Sequence, residues 1–149
     1  MMSFGESWPE GSYGDDSLTW EGRSAIGSLF GVSGEKVFFV PTGSAANRLA
    51  LAILFEKSYE AVICAESAHI NKHEAGAVGS MGHSIIPVSH VCGKVLPDEV
   101  QSIYETRRDL HGACPAILSI ANATEVGGVY SASELATLSE GIFRHGLLR

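Results

Sequence analysis

The stretch VFFVPTGSAANRLALAILF, residues 37–55, joins a dense apolar run, a Pro-Thr-Gly-Ser turn and an amphipathic segment. The apolar run predicts a buried strand, and the segment after the turn predicts a helix because its apolar residues recur at helical spacing. These residues are Ala46, Leu49, Ala50, Ile53 and Leu54. A helix that begins at Gly43 and Ser44 points free backbone amides outward, where its dipole favours an anion such as a phosphate. The alternative is an ordinary helix start, capped by Ser44 and hydrated, and spacing alone does not choose between the two.

The rest of the chain alternates between strand-like and helix-like segments. Apolar runs at residues 61–65 and 116–120 predict buried strands, and the run at 84–88 predicts a strand that Pro87 restricts to a sheet edge or a strand end. Helices are predicted within residues 20–31, 66–82, 96–110 and 131–146, the first ending at Gly31 or Gly34 and the last opening with a capping box from Ser131 to Glu134. This alternation predicts a three-layer α/β domain with a mainly parallel sheet. Residues 1–20 are rich in Gly, Ser and Asp and predict an irregular arm ahead of a domain at residues 21–149.

Composition excludes several classes of partner. The chain has 149 residues, a formal net charge of -7 and a pI near 5.3, which argues against nucleic acid or an anionic membrane as a partner. No apolar run approaches the roughly 20 residues that a membrane-spanning helix needs. The start does not resemble a secretory signal, and Cys64, Cys92 and Cys114 show no paired spacing. We therefore expect a cytoplasmic protein whose cysteines are reduced core residues.

Two polar clusters follow predicted strands. In CAESAHINKHEAGA, residues 64–77, His69 and His73 lie one helical turn apart, but no HExxH order and no third ligand accompany them, so no metal site is predicted. His69 is instead either a flat ring that stacks on an aromatic ligand or a hydrogen-bonded loop histidine. In SIANATEVGGVY, residues 119–130, Asn122 and Thr124 stand where open α/β sheets place ligand groups. The alternative is a loop whose side chains cap its own backbone.

Together these stretches resemble the threonine aldolase and β-eliminating lyase group of fold-type I pyridoxal-phosphate enzymes. The matching segments are SYGDD, VFFVPTGSAAN, AVICAESAHINKHEAGA, GKVLPDEV and SIANATEVGGVYSASEL, which occur in the family's order and cover most of the chain. The resemblance implies the large domain of the aspartate aminotransferase-like fold and a homodimer or tetramer. It also implies pyridoxal 5'-phosphate as cofactor and cleavage of a β-hydroxy-α-amino acid such as threonine to glycine and an aldehyde.

The resemblance also assigns roles to individual residues. Gly43 and Ser44 would hold the cofactor phosphate. His69 would stack on the pyridine ring and serve in proton transfer, with Glu74 beside the site. The remaining assignments are Asn122 and Thr124 lining the pocket near the ring, and Tyr13 reaching the site of a neighbouring subunit.

Two features depart from the family pattern. Many threonine aldolases have a histidine where this chain has Glu125, which affects the proton-transfer assignment and the choice of substrate. The family's Asp-Gly-Ala-Arg segment and its imine-forming lysine have no counterpart in residues 1–149. We therefore expect a partial, truncated large domain that is inactive by itself. The alternatives are another fold-type I lyase, acting by β-elimination or on aromatic amino acids, and a non-catalytic fragment or degenerate copy.

Overall fold

A computed structural model describes residues 11, 13–106 and 111–143, and the chain divides into two compact units at residues 1–41 and 42–149. In the first unit, helix α1 spans Ser17–Phe30. The Asp16 carboxylate accepts a hydrogen bond from the Thr19 amide at 2.9 Å, and Gly31 ends the helix with a φ of 67°. The predicted end at Gly31 is confirmed. The helix begins earlier than expected, so residues 17–20 are not part of an irregular arm; residues 1–10 and 12 lie outside the described residues.

The predicted strand at VFFV is wrong. Residues 37–40 have no regular secondary structure, and they follow a 3-10 turn at Gly34–Lys36. A strand needs a neighbouring strand to satisfy its backbone amides and carbonyls, and the described part of this unit contains none. Phe38 and Phe39 are accordingly 67% and 52% exposed, which the apolar run by itself does not predict.

The second unit contains five strands: β1 at Glu60–Ala65, β2 at Ser84–Val88, β3 at His90–Val91, β4 at Lys94–Val95 and β5 at Cys114–Ser119. The order β2-β1-β5 forms a parallel sheet, and the three predicted strands are thereby confirmed. Every residue of β1 is buried, as a central strand requires. Pro87 lies on β2, which pairs only with β1 among the described strands. The β3–β4 hairpin is antiparallel and was not predicted.

Helices pack on both faces of this sheet. They are α2 at Gly43–Leu54 and α3 at His69–Lys72 on one face and α4 at Pro97–Thr106 on the other, whereas α5 at Ala132–Phe143 packs against α4. Val62 and Cys64 of β1 pack with residues of α2 and α3, whereas Ile63 packs in a second cluster with Val100 of α4. The predicted three-layer α/β architecture is confirmed. The helix expected within residues 66–82 is reduced to α3 and a 3-10 turn at Gly79–Met81, and the expected ends at residues 110 and 146 lie outside the described residues. None of the helices formed by described residues has the length and apolar content needed to cross a membrane.

Helix α2 buries a different face from the one predicted. Leu51 and the following Phe55 are buried, at 6% and 9% exposure. Leu49 and Ile53, which belong to the predicted stripe, are 44% and 73% exposed, and Ala46, Ala50 and Leu54 are exposed as well. The sheet therefore packs on the row formed by Asn47, Leu51 and Phe55, which are spaced four residues apart. The residues of the richer apolar stripe are exposed instead.

The predicted capping box at the start of α5 is confirmed and is joined to the β3–β4 hairpin. The Ser131 amide donates to Glu134 Oε2 at 2.7 Å, and the Glu134 amide donates to Ser131 Oγ at 3.2 Å. Lys94 Nζ donates to Glu134 Oε1 at 2.6 Å. The hydrogen bond from Lys94, followed by the one from Ser131, lowers the pKa of Glu134 to about 2.

Replacing Glu134 with Gln is expected to lower the melting temperature by a few degrees at pH 7 and to have no effect near pH 2. A carboxylate whose pKa falls on folding stabilises the protein above its unfolded-state pKa, and this stabilisation disappears as the pH falls from about 4.5 to about 2. Thermal melts of both proteins across this range measure the effect. Lys94→Met should reproduce most of the loss, and a gap that stays constant with pH would contradict the prediction.

The cysteines are only partly where the sequence predicts them. Cys64 is buried in the central strand, and burial raises the pKa of its thiol to about 11. Cys92 and Cys114 are exposed, so the prediction of three core cysteines is wrong for these two. Cys92 occupies the turn of the β3–β4 hairpin with a φ of 53°, and Cys114 begins a strand at the sheet edge. Both positions are set by the topology, which the apolar surroundings in the sequence do not reveal.

Candidate active site

The predicted site residues of the second unit gather around the carboxyl ends of the parallel strands. β1 ends at Ala65 and is followed by His69, whereas β5 ends at Ser119 and is followed by the loop of Asn122 and Thr124. Loops after neighbouring parallel strands emerge at the same sheet edge. A crevice of about 10 Å³ lies where these loops meet the β3–β4 hairpin, and its lining includes Ser67, Gly93 and Glu125.

The start of α2 leaves two backbone amides free. Thr42 caps the helix, because its Oγ1 accepts from the Ala45 amide at 3.1 Å and its carbonyl accepts from the Ala46 amide at 3.1 Å. The alternative in which Ser44 is the cap is therefore wrong. Within the described ranges, the amides of Gly43 and Ser44 have no acceptor, and a Cβ added to Gly43 would meet nothing within 4 Å. The geometry provides two donors that face open space at the positive end of a helix dipole.

A three-residue polar cluster adjoins this helix start. His69 Nδ1 lies 2.9 Å from Glu74 Oε1, and Asn47 Nδ2 donates to the same oxygen at 2.5 Å. The Glu74 side chain is fully buried, whereas the His69 side chain is 45% exposed. An ionised carboxylate can only accept, so a neutral His69 that is hydrogen-bonded to an ionised Glu74 carries its hydrogen on Nδ1. The exposed imidazole is therefore held from behind by a buried carboxylate.

The second carboxylate oxygen of Glu74 is left without a bond. Oε2 is buried and has no hydrogen-bond partner among the described residues. Burying an unpaired carboxylate oxygen costs free energy, and native proteins rarely leave such a group unpaired. This makes Glu74 a poor choice for a purely structural residue and a candidate for a functional one.

Asn122 and Thr124 are both engaged in holding their own loop. Asn122 Oδ1 accepts from the Tyr130 amide at 3.0 Å, and its Nδ2 donates to the Tyr130 carbonyl at 3.4 Å. Thr124 Oγ1 donates to the Cys92 carbonyl and accepts from the Gly128 amide, both at 2.8 Å. The structure thus displays the loop-capping arrangement that the sequence left open as an alternative. A contact of either residue with a ligand stays a prediction.

The two remaining predicted residues make no described polar contact. Glu125 is exposed in the loop after β5, beside Thr124. Tyr13 belongs to the first unit, where it is fully exposed with a φ of 64°. Their roles toward a substrate or a neighbouring subunit stay predictions.

Asn47 was not identified from the sequence as a site residue. Asn47 lies within residues 37–55, where the apolar stripe of the predicted helix indicates that a different side of the helix is buried. The sequence feature that could have identified Asn47 is its spacing from Leu51 and Phe55, because residues four apart lie on the same row of a helix. Its partner Glu74 is 27 residues away, so no local pattern indicates the contact.

The chain is similar to known threonine aldolases in sequence and in fold. The chain is 39% identical over 132 residues to low specificity L-threonine aldolases of Pseudomonas aeruginosa and of Pseudomonas sp. strain NCIMB 10558, covering 87% of this chain and 38% of each relative. The solved structure of Leishmania major threonine aldolase superposes with a TM-score of 0.82 at 32% identity, covering 91% of this chain and 40% of that one.

A more distant structure supports the fold alone. It is a protein of Exiguobacterium sp. 255-15 described as an aromatic amino acid beta-eliminating lyase/threonine aldolase, with a TM-score of 0.60 at 23% identity. The chain spans about two-fifths of the length of the curated relatives it matches. Residues 4–148 match the sequence profile of the beta-eliminating lyase family, and the chain therefore belongs to that family.

Proposed function

We propose that this chain forms the phosphate-binding and histidine-bearing part of a threonine aldolase active site. The reaction would be pyridoxal-phosphate-dependent cleavage of a β-hydroxy-α-amino acid, such as threonine, to glycine and an aldehyde. The observation that carries the proposal is the adjacency of two free amides at the start of α2 and the His69–Glu74 pair, joined through Asn47 of the same helix. The names of the relatives that match over 87% of the chain support the choice of reaction.

The residues at the start of α2 fit a phosphate group. The amides of Gly43 and Ser44 would donate to phosphate oxygens. Because Thr42 and not Ser44 caps the helix, the Ser44 hydroxyl would add a third donor. The open space beside Gly43 gives such a group room to approach the backbone. The exposed ring of His69 offers a flat surface to an aromatic ligand. Bound there, pyridoxal phosphate would supply the electron sink that stabilises the carbanion left at the substrate Cα.

The chain's own residues would then position groups and move a proton. With Nδ1 donating to Glu74, Nε2 of His69 would be the ring nitrogen left to accept the proton of the substrate hydroxyl as the carbon–carbon bond breaks. Glu74 would hold this tautomer and stabilise the imidazolium that forms. Asn122 and Thr124 would shape the pocket wall through the loop that they brace, and Glu125 would lie near the substrate.

We propose that none of the four lysines in residues 1–149 is the imine-forming lysine. Lys94 is paired with Glu134, and Lys57 lies over the ring of Tyr59 at 5.8 Å. Lys36 belongs to the first unit, and Lys72 is exposed on α3. We therefore propose that the chain is one part of the active site and that the polypeptide of residues 1–149 does not turn over substrate alone.

We also propose that the protein forms a homo-oligomer, either a dimer or a tetramer, in the cytoplasm. The exposed stripe of α2, which includes Leu49 and Ile53, supports association because exposed apolar stripes of this kind favour burial against another surface. Tyr13 would reach the site of a neighbouring subunit.

Replacing Ser44 with Asp tests the phosphate site through binding rather than activity. A carboxylate in the first turn favours the helix but repels a phosphate at the same amides, so affinity for pyridoxal phosphate should fall roughly 100-fold without loss of thermal stability. Equilibrium dialysis against pyridoxal phosphate measures the affinity. Ser58→Asp, at an exposed turn residue, is the matched control. Equal affinity of Ser44→Asp and the unaltered chain would reject the proposed phosphate site.

A further inference from the structure

We propose that Asn47 is a positioning residue whose carboxamide fixes the Glu74 carboxylate, so that His69 keeps its hydrogen on Nδ1 and presents Nε2 as its free nitrogen. The inference deepens the proposed function and rests on it for the use of Nε2 in catalysis. The contacts that define it belong to this chain alone.

The first step is the convergence of two donors on one oxygen. Asn47 Nδ2 lies 2.5 Å from Glu74 Oε1, and His69 Nδ1 lies 2.9 Å from the same atom. Asn47 lies on α2 and His69 on α3, so side chains from two separate helices bond to the same carboxylate oxygen. Glu74 is fully buried, which strengthens both hydrogen bonds relative to the same bonds in water.

The orientation of the Glu74 carboxylate depends on the hydrogen bonds that its oxygens accept. The terminal torsion of a glutamate is broad, so nothing intrinsic distinguishes Oε1 from Oε2. Among the described residues, Oε2 has no partner, and only Asn47 and His69 bond to Oε1. Removing the carboxamide leaves the imidazole as the single group that orients the carboxylate. His69 would then lose the fixed acceptor that keeps its hydrogen on Nδ1.

The third step is the rigidity of α2. Leu51 and Phe55 continue the row of Asn47 along the helix, and both are buried against the sheet. Asn47 is one helical turn beyond Gly43, about 6 Å along the axis. The same rigid helix therefore presents the two anion-binding amides and holds the carboxylate behind His69. This links the position of a bound phosphate to the orientation of the ring.

The test reads the tautomer of His69 directly, in the full chain without cofactor. Long-range proton–nitrogen NMR at pH 8.5, where an ordinary histidine is neutral, should show the Nδ1–H form in the unaltered protein. In Asn47→Leu, which keeps side-chain bulk but has no donor, the ratio of Nδ1–H to Nε2–H should fall roughly tenfold, as expected for loss of a charge-assisted bond. Asn71→Ala is the matched control, since Asn71 lies on α3 and its side chain donates to the Glu66 carbonyl and not to Glu74.

An unchanged His69 tautomer in folded Asn47→Leu would overturn the inference. Circular dichroism establishes folding, and Asn47→Ala provides a second variant if the leucine is not accommodated. In a pyridoxal-phosphate-bound enzyme that contains this chain together with the imine-forming lysine, Asn47→Leu should lower kcat about tenfold and leave KM within about twofold. Absence of threonine cleavage by the unaltered enzyme, completed with the imine-forming lysine, would refute the proposed function, whereas the NMR measurement would still decide the role of Asn47.

Discussion

His69→Phe is expected to lower kcat for threonine cleavage by about 10²- to 10⁴-fold in a pyridoxal-phosphate-bound enzyme that contains this chain together with the imine-forming lysine. A phenyl ring keeps a flat surface for stacking but has no nitrogen to accept the hydroxyl proton, and general-base catalysis contributes rates of this order. KM should change much less, because the stacking surface is preserved. Glycine and acetaldehyde released from threonine are the quantities to measure.

The neighbouring histidine supplies the control for this prediction. His73 is exposed, and its ring centroid is 5.7 Å from that of His69, so His73→Phe alters the same surface without touching Glu74. It should retain activity within about threefold. Equal losses in both variants would show that the effect is one of packing and not of the base. Release of ammonia and a keto acid in place of glycine would identify a β-eliminating lyase instead.

Ile63→Ala is expected to reduce the free energy of unfolding by about 2–5 kcal/mol. Ile63 is fully buried at the centre of β1, where it packs with residues of β2 and α4. Truncation removes buried apolar surface and leaves a cavity that a three-layer core cannot close easily. Since small domains are stable by only about 5–15 kcal/mol, the variant should lose much of its stability.

The same residue type on the surface provides a matched comparison. Ile53 lies on α2 and is 73% exposed, so Ile53→Ala should change stability by no more than about 0.5 kcal/mol. Urea unfolding followed by circular dichroism measures both variants. A loss for Ile53→Ala comparable to that for Ile63→Ala would mean that the stripe of α2 is covered by a contact made between molecules.

Local sequence patterns were sufficient for much of the fold. Apolar runs identified β1, β2 and β5, and the run of β1 is continuous because this central parallel strand is buried on both faces and needs no alternation. Gly31 and the Ser131–Glu134 box identified helix ends because capping depends on a few adjacent residues. The same patterns failed at residues 37–40, because a strand exists only where another strand pairs with it.

The candidate site likewise has some features that depend on local sequence and others that depend on tertiary contacts. The sequence by itself determined that Gly43 and Ser44 begin a helix and that His69 follows a central strand, since both depend on neighbours along the chain. Only the tertiary structure decided which face of α2 packs on the sheet, and with it the contact between Asn47 and Glu74. Burial depends on what each face meets in space, and the helix has its richer apolar stripe on the exposed side. That choice of face places a carboxamide behind the carboxylate that holds His69.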